Sequence, residues 1–301
     1  MENSALVSVI IPSHQGSDHI CRAVDSVLSQ TYKNIEVIVV DDNGKGCEEQ
    51  IKTEKAMEKY CDDKRVVYLT HDVNKNGSAA RNTGIRASHG EYISFLDDDD
   101  EFTEYNIEKH INALQELSED FGGTYCDMLQ IRPGMKNEII GADKSGDLLV
   151  DCCKRQIAIG TCVIVLRRNA MDFLKEWDES FRRHQDWEFI IRFLSKYKIQ
   201  HVDYVGVRRH VMTRHTASNP GLYRDNRIHF LNKMEYIFDT FDKKTKQQIY
   251  NGHYQDIAKE YLKNKSVIQF FRWTFKTSNP LKTIYQCMKA GKAYLGKKQK
   301  G

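Results

Sequence analysis

No stretch of these 301 residues approaches the roughly 20 consecutive apolar residues that carry a helix across a bilayer. The apolar runs, such as Val7 to Ile11 and Cys162 to Leu166, have the length of strands, so no membrane-spanning helix is expected. The first thirty residues lack the basic start, apolar stretch and small-residue cleavage site of a secretory signal, and the chain reads as cytoplasmic. Cys-x-x-Cys pairs and Cys/His finger spacings are also missing. The eight cysteines, at 21, 47, 61, 126, 152, 153, 162 and 287, are therefore expected as reduced thiols, mostly in the core. From Leu262 onward there is no Asp or Glu against ten Lys or Arg, which leaves 35 basic and 42 acidic residues before it. The chain is thus an acidic body with an electrostatically separate basic tail.

What is present first is alternation. VSVIIP is a β-branched apolar run ended by proline, and a helix follows with Ile20, Ala23, Val24, Val27 and Leu28 on one face and Asp18 as its expected N-cap. IEVIVVDD, VVYLT and EYISFLDDDD continue as strands, with a short helix over 77–88 before the last. Strand-helix-strand repetition predicts an α/β fold built on a mostly parallel sheet flanked by helices. A helix is expected over 103–117, then strands in TYCDMLQI, QIAIGTCVIVLR and HVDYVGVRRH, with mixed strand direction, and a helix beginning near Asp186. From Leu222 the chain reads as helical. The expected layout is a catalytic domain over 1–220, divided into a nucleotide-binding half (1–120) and an acceptor-binding half (121–220), then a basic helical extension over 221–301.

The acidic clusters end strands, and the loops at that edge of an open α/β sheet are where such folds bind ligands. Asp97, Asp98, Asp99 and Asp100 crowd one turn, where mutual repulsion favours a hard divalent cation with a diphosphate. The plain alternative is a solvated acidic turn, and an EF-hand fails because its sixth position is Phe102 rather than glycine. Asp41 and Asp42 end another strand and suit hydrogen bonds to a base or ribose. In NGSAARNTGI, Gly77 permits close backbone approach at a helix start and Arg81 suits a phosphate.

Taken together, VSVIIPSHQ, SVLSQTY, IEVIVVDDN, NGSAARNTGI and GEYISFLDDDD, in this order and spacing, resemble the family 2 glycosyltransferases with the GT-A fold. The resemblance is dense from Val7 to Asp100 and looser to about Ser218. It implies a GT-A, Rossmann-like fold and an inverting, metal-dependent glycosyltransferase that takes a sugar from a nucleotide-sugar donor, UDP-sugars being the family habit. By resemblance, Pro12, Ser13 and His14 with Asp42, assisted by Asp41, form the nucleotide-base site. Asp99 ligates Mn²⁺ or Mg²⁺, while Asp97 or Asp98 touches the ribose or completes the metal's surroundings. His14 and Gln15 stand where tyrosine and asparagine are usual in the family. HQDWEFIIRF matches the family's later acidic motif with Gln185 in place of Glu, making Asp186 the candidate general base. VRRHVMTRHTASN resembles the closing segment, with His215, then His210, as the histidine that approaches diphosphate or metal, and Arg208 or Arg209 as phosphate partners.

The tail interleaves Ile268, Phe270, Phe271, Trp273 and Phe275 with cations, which suits a helix lying on anionic lipid. Packing on the catalytic domain or a dimer contact would use the same apolar residues. No nucleic-acid motif accompanies the charge, so nucleic acid is not an expected partner. The expected partners are a nucleotide-sugar donor, a glycan or lipid-linked saccharide acceptor and the inner face of the plasma membrane. Two rivals remain: a nucleotidyltransferase, which would show a basic Gly-rich loop after the first strand instead of PSHQGSDH, and an inactive binding module, which would have lost the acidic motifs.

Overall fold

The structure is a computed structural model that describes residues 4–211, 219–287 and 289. Its contacts divide the chain into two compact units, Met1–Thr213 and Arg214–Gly301.

The first unit starts with β1 (Val7–Ser13), α1 (Ile20–Leu28), β2 (Ile35–Asp41), α2 (Glu48–Met57), β3 (Val66–Thr70), α3 (Gly77–Ala87) and β4 (Tyr92–Phe95). These strands pair in parallel in the order β3-β2-β1-β4. Val7, Val9, Ile10 and Ile11 of β1 and Val37 to Val40 of β2 are fully buried, as near-continuous apolar strands covered on both faces must be. Gly84 lets α3 lie directly on β1: a Cβ there would stand 2.4 Å from a methyl of Ile10.

The sheet then becomes mixed in strand direction. β5 (Glu101–Phe102), α4 (Asn106–Gln115), β6 (Phe121–Ile131), β7 (Glu138–Ile140), α5 (Leu149–Cys153), β8 (Ile164–Arg167), α6 (Arg168–Leu174), α7 (Gln185–Leu194) and β9 (Lys198–His210) follow. β8 runs antiparallel between β4 and β6, β9 runs parallel to β6, and β5 closes the edge antiparallel to β9. The mixed sheet flanked by helices is thus the expected architecture.

Two local expectations fail. Asp18 does not cap α1: the helix starts at Ile20 after His19, and the Gly16 carbonyl accepts from the amides of both. A main-chain acceptor takes the role that the sequence assigned to a carboxylate. Of QIAIGTCVIVLR only Ile164–Arg167 is a strand; Thr161–Val163 forms a 3₁₀ turn, and Ile157 and Ile159 are buried without joining the ladder. Apolar spacing reported burial there, and burial does not require a strand.

The second unit is helical: α8 (Pro220–Lys233), α9 (Glu235–Phe238), α10 (Lys243–Lys263), α11 (Val267–Thr274) and further helical residues over 280–287. Asn219 caps α8 through the amides of Gly221 and Leu222, and Asp242 caps α10 through those of Lys244 and Thr245. Ile257, Ala258, Tyr261, Phe270, Trp273 and Cys287 form its core. All eight cysteines are free thiols. Among the described residues no helix is long and apolar enough to cross a membrane.

Candidate active site

Because β1, β2 and β4 are parallel neighbours, the residues that follow them meet at one edge, together with the first turn of α3. They enclose a cleft of about 200 Å³ lined by Pro12, Ser13, His14, Asp42, Gly77, Arg81, Asp97, Asp98 and Asp99. Every residue expected at the nucleotide site is there except Asp41, which is fully buried beneath it.

The two acidic clusters are in opposite states. Asp42 accepts from the His71 ring (2.7 Å) and the Lys75 amide (2.8 Å) on one oxygen, and from the Asn74 side chain (3.0 Å) and the Asn76 amide (2.9 Å) on the other. Asp41 accepts from the Asn43 amide (2.8 Å) and the Tyr68 hydroxyl (2.7 Å). Both carboxylates are thereby committed to holding the chain, Asp42 by fixing the 71–76 loop that leads into α3. Asn76 ends that loop at φ 124° and caps α3 through the amides of Ser78 and Ala79.

At the end of β4 four carboxylates share one turn. Burial, with the charges of Asp99 and Asp97, raises the Asp98 carboxyl to about 6, although the His14 amide donates to it. Asp98 lies against Gly16, where an added Cβ would overlap its carboxylate and displace that side chain. Burial and the charges of Asp97 and Asp99 push Asp100 up to about 8 despite the His210 amide 3.0 Å away. Arg22 donates to the Asp99 carbonyl and braces the turn. Carboxylates crowded in this way favour either proton uptake or an added cation. Among the described residues no three His, Cys, Asp or Glu side chains converge to hold a metal ion unaided. The donor set fits a Mg²⁺-type site, in which one or two carboxylates share the ion with substrate phosphates.

Arg81 links this cleft to a second one. Its guanidinium bonds Asp97 at 2.7 Å and the Gln185 side-chain oxygen at 3.3 Å, and lies 5.0 Å from the centre of the Trp177 ring. Gly77 leaves room for this contact, since a Cβ would stand 3.1 Å from Arg81. The uncharged Gln185 leaves Arg81 committed to Asp97, where a glutamate would compete for it. Beyond the pair lies a pocket of about 230 Å³ containing Asp186, in the first turn of α7, with Thr161, Trp177, Arg182, Arg183 and His184. Burial raises the Asp186 carboxyl above its ordinary range, with Asp97 adding to the rise and the Trp187 amide and Arg81 opposing it. A partly desolvated carboxylate in a cleft is suited to accept a proton.

Of the closing segment, His210 bonds Glu101 at 3.1 Å and Arg208 stands 3.9 Å from the same carboxylate, so both are engaged at the β5–β9 pair. His215 lies outside the described residues. Sequence reading missed Arg182, Arg183 and His184, whose only signal was their position directly before Gln185 and Asp186. It also missed His71, Asn74 and Asn76, which are legible only as partners of Asp42.

The fold is an α/β architecture with two adjoining polar clefts at one sheet edge, and comparison supplies the family. The glycosyl transferase family 2 model matches residues 8–174, and the chain belongs to that family. An uncharacterised glycosyltransferase of Rickettsia typhi is 42% identical over 123 residues, covering 41% of this chain and 36% of that protein. The amylovoran biosynthesis glycosyltransferase AmsB of Erwinia amylovora is 28% identical over 199 residues, 62% of each chain. The putative colanic acid biosynthesis glycosyl transferase WcaA of Escherichia coli K12 is 35% identical over 117 residues, 39% of this chain and 40% of that one. The matches thus span between about a third and two thirds of these relatives. Among solved structures, S. aureus TarS 1–349 in complex with UDP superposes with a TM-score of 0.56 at 16% identity, covering 89% of each chain, and the fold is the GT-A fold.

Proposed function

We propose that the chain is an inverting glycosyltransferase that moves a sugar from a UDP-sugar to a glycan or lipid-linked acceptor in polysaccharide biosynthesis. The observation that carries this reading is the pair of clefts joined at Arg81–Asp97, one lined by the residues expected at the nucleotide site and the other holding the largely buried carboxylate of Asp186. The names of AmsB and WcaA support the polysaccharide setting, and TarS structures determined with UDP and UDP-GlcNAc support the donor class.

In the proposed chemistry Pro12, Ser13, His14 and the Asp42-braced wall receive the base, with Asp97 or Asp98 near the ribose. The α3 N-terminus and Arg81 face the diphosphate. Asp99, with His215 from outside the described residues, would hold Mn²⁺ or Mg²⁺, which supplies positive charge for the departing diphosphate. Asp186 takes the proton from the acceptor hydroxyl as its oxygen bonds the anomeric carbon and the carbon–oxygen bond to the diphosphate breaks on the opposite face. One such displacement inverts the anomeric carbon.

The second unit supports a place at the inner face of the plasma membrane. Ile268 (82% exposed), Phe275 (67%), Leu281 (80%) and Tyr285 (69%) are apolar and outward, interspersed with Arg272, Lys276 and Lys282. Vesicle co-sedimentation is expected to show binding to anionic lipid and little to neutral lipid.

Calorimetry with UDP, GDP and dTDP, with and without Mn²⁺, tests the donor and metal assignments. UDP binding that Mn²⁺ strengthens, with the enhancement lost in Asp99→Ala, is expected. Failure of every nucleotide to bind would remove the transferase reading and bring the binding-module alternative forward.

A further inference from the structure

The pocket that holds Asp186 contains more positive charge than proton transfer uses. Of its three guanidiniums, Arg81 is committed to Asp97. Arg182 and Arg183 are exposed, line the same pocket, and make no hydrogen bond or ion pair among the described residues. They are not on a free loop. Phe181 before them is buried, and its carbonyl accepts from the Gln185 side chain at 2.8 Å. His184 after them sits in the left-handed region at φ 65°, its ring stacked on Trp187 with centroids 4.5 Å apart. The two arginines therefore ride on a bend anchored at both ends, which lowers the ordering cost of using them in binding.

Adjacent guanidinium forks match the paired oxygens of a carboxylate or a phosphate. In the proposed function the donor diphosphate lies on the other side of the Arg81–Asp97 pair, in the cleft lined by Gly77 at the start of α3. A neutral acceptor would leave Arg182 and Arg183 without a partner beside the reacting hydroxyl. We propose that the acceptor is an anionic saccharide, whose phosphate or carboxylate group is bound by Arg182 and Arg183 while its hydroxyl faces Asp186. This assignment rests on the transferase reading above and names the substrate class of its second cleft.

The test is ligand-observed NMR on the full chain saturated with UDP and diamagnetic Mg²⁺, using α-D-glucose 1-phosphate, D-glucuronate and D-glucose as probes. At least one anionic sugar is expected to bind about tenfold more tightly than glucose, the scale of one charge-assisted contact. Which one prevails distinguishes a phosphate-bearing from a carboxylate-bearing acceptor. The double variant R182A/R183A should erase the preference while UDP affinity stays within about twofold, and R182K/R183K, which keeps charge without the fork, should retain part of it. Three results overturn the proposal: no preference for either anion in the wild type, an unchanged preference in R182A/R183A, or a UDP affinity that falls with the arginines, which would assign them to the donor. A wild-type chain that binds no nucleotide fails earlier and sinks the transferase reading instead.

Discussion

The ends of β2 and β4 carry the same kind of sequence, an apolar run closed by aspartates, and the fold uses them in opposite ways. Asp41 and Asp42 meet six protein donors between them and stabilise the chain. Asp97 to Asp100 crowd one turn, with Asp97 paired to Arg81 and Asp98 and Asp100 each accepting from a main-chain amide, and burial with mutual repulsion raises the carboxyls of Asp98 and Asp100 to about 6 and about 8. Carboxylates satisfied from within serve as scaffold, whereas crowded carboxylates favour added positive charge, which the proposed metal would supply.

The contrast can be broken most forcefully at Asp42. Asp42→Ala strands four donors, His71 among them, and is expected to cost about 3–5 kcal/mol of stability, measured by urea unfolding. Asp186→Asn removes the proposed proton acceptor and should lower kcat by roughly 10²–10⁴ while leaving UDP affinity and unfolding unchanged, a split that steady-state kinetics and calorimetry read separately. Asp41→Asn keeps one acceptor oxygen for Tyr68 or Asn43 and should cost only about 1 kcal/mol in the same urea experiment. The smallest effect is on pH dependence. As the proposed base Asp186 has to be unprotonated, and its carboxyl is raised, so kcat/KM should climb with pH through an inflection above the ordinary carboxylate value of about 4. Replacing Arg81 with Met removes a charge that holds that carboxyl down and should move the inflection further up.

Much of the fold is legible in the sequence. Buried parallel strands have to be apolar throughout, so β1, β2 and β4 stand out in the sequence, and their shared direction gathers their trailing aspartates at one edge. The division of labour among those aspartates was not legible. Asp42 and Asp98 have identical side chains, and only tertiary neighbours, a loop of amides for one and Gly16 with the other carboxylates for the other, set them apart. Main-chain partners hid the start of α1, where the Gly16 carbonyl replaces the expected Asp18 cap. Between Gly122 and Arg183 side chains are buried without regular period, so spacing overstated the strand before β8. Arg182 and Arg183 were passed over because a basic pair in a loop reads as solvated surface until a pocket is found behind it.

Thermal unfolding of the wild type, Asp42→Asn and Asp99→Asn, each with and without UDP and Mn²⁺, puts both aspartate clusters in one experiment. Asp42→Asn is expected to lower the ligand-free Tm by about 5 °C or more. Asp99→Asn should leave the ligand-free Tm within about 2 °C of wild type and lose the part of the UDP shift that depends on Mn²⁺. A ligand-free Tm unchanged in Asp42→Asn, or depressed as far in Asp99→Asn, would contradict the division between scaffold and site.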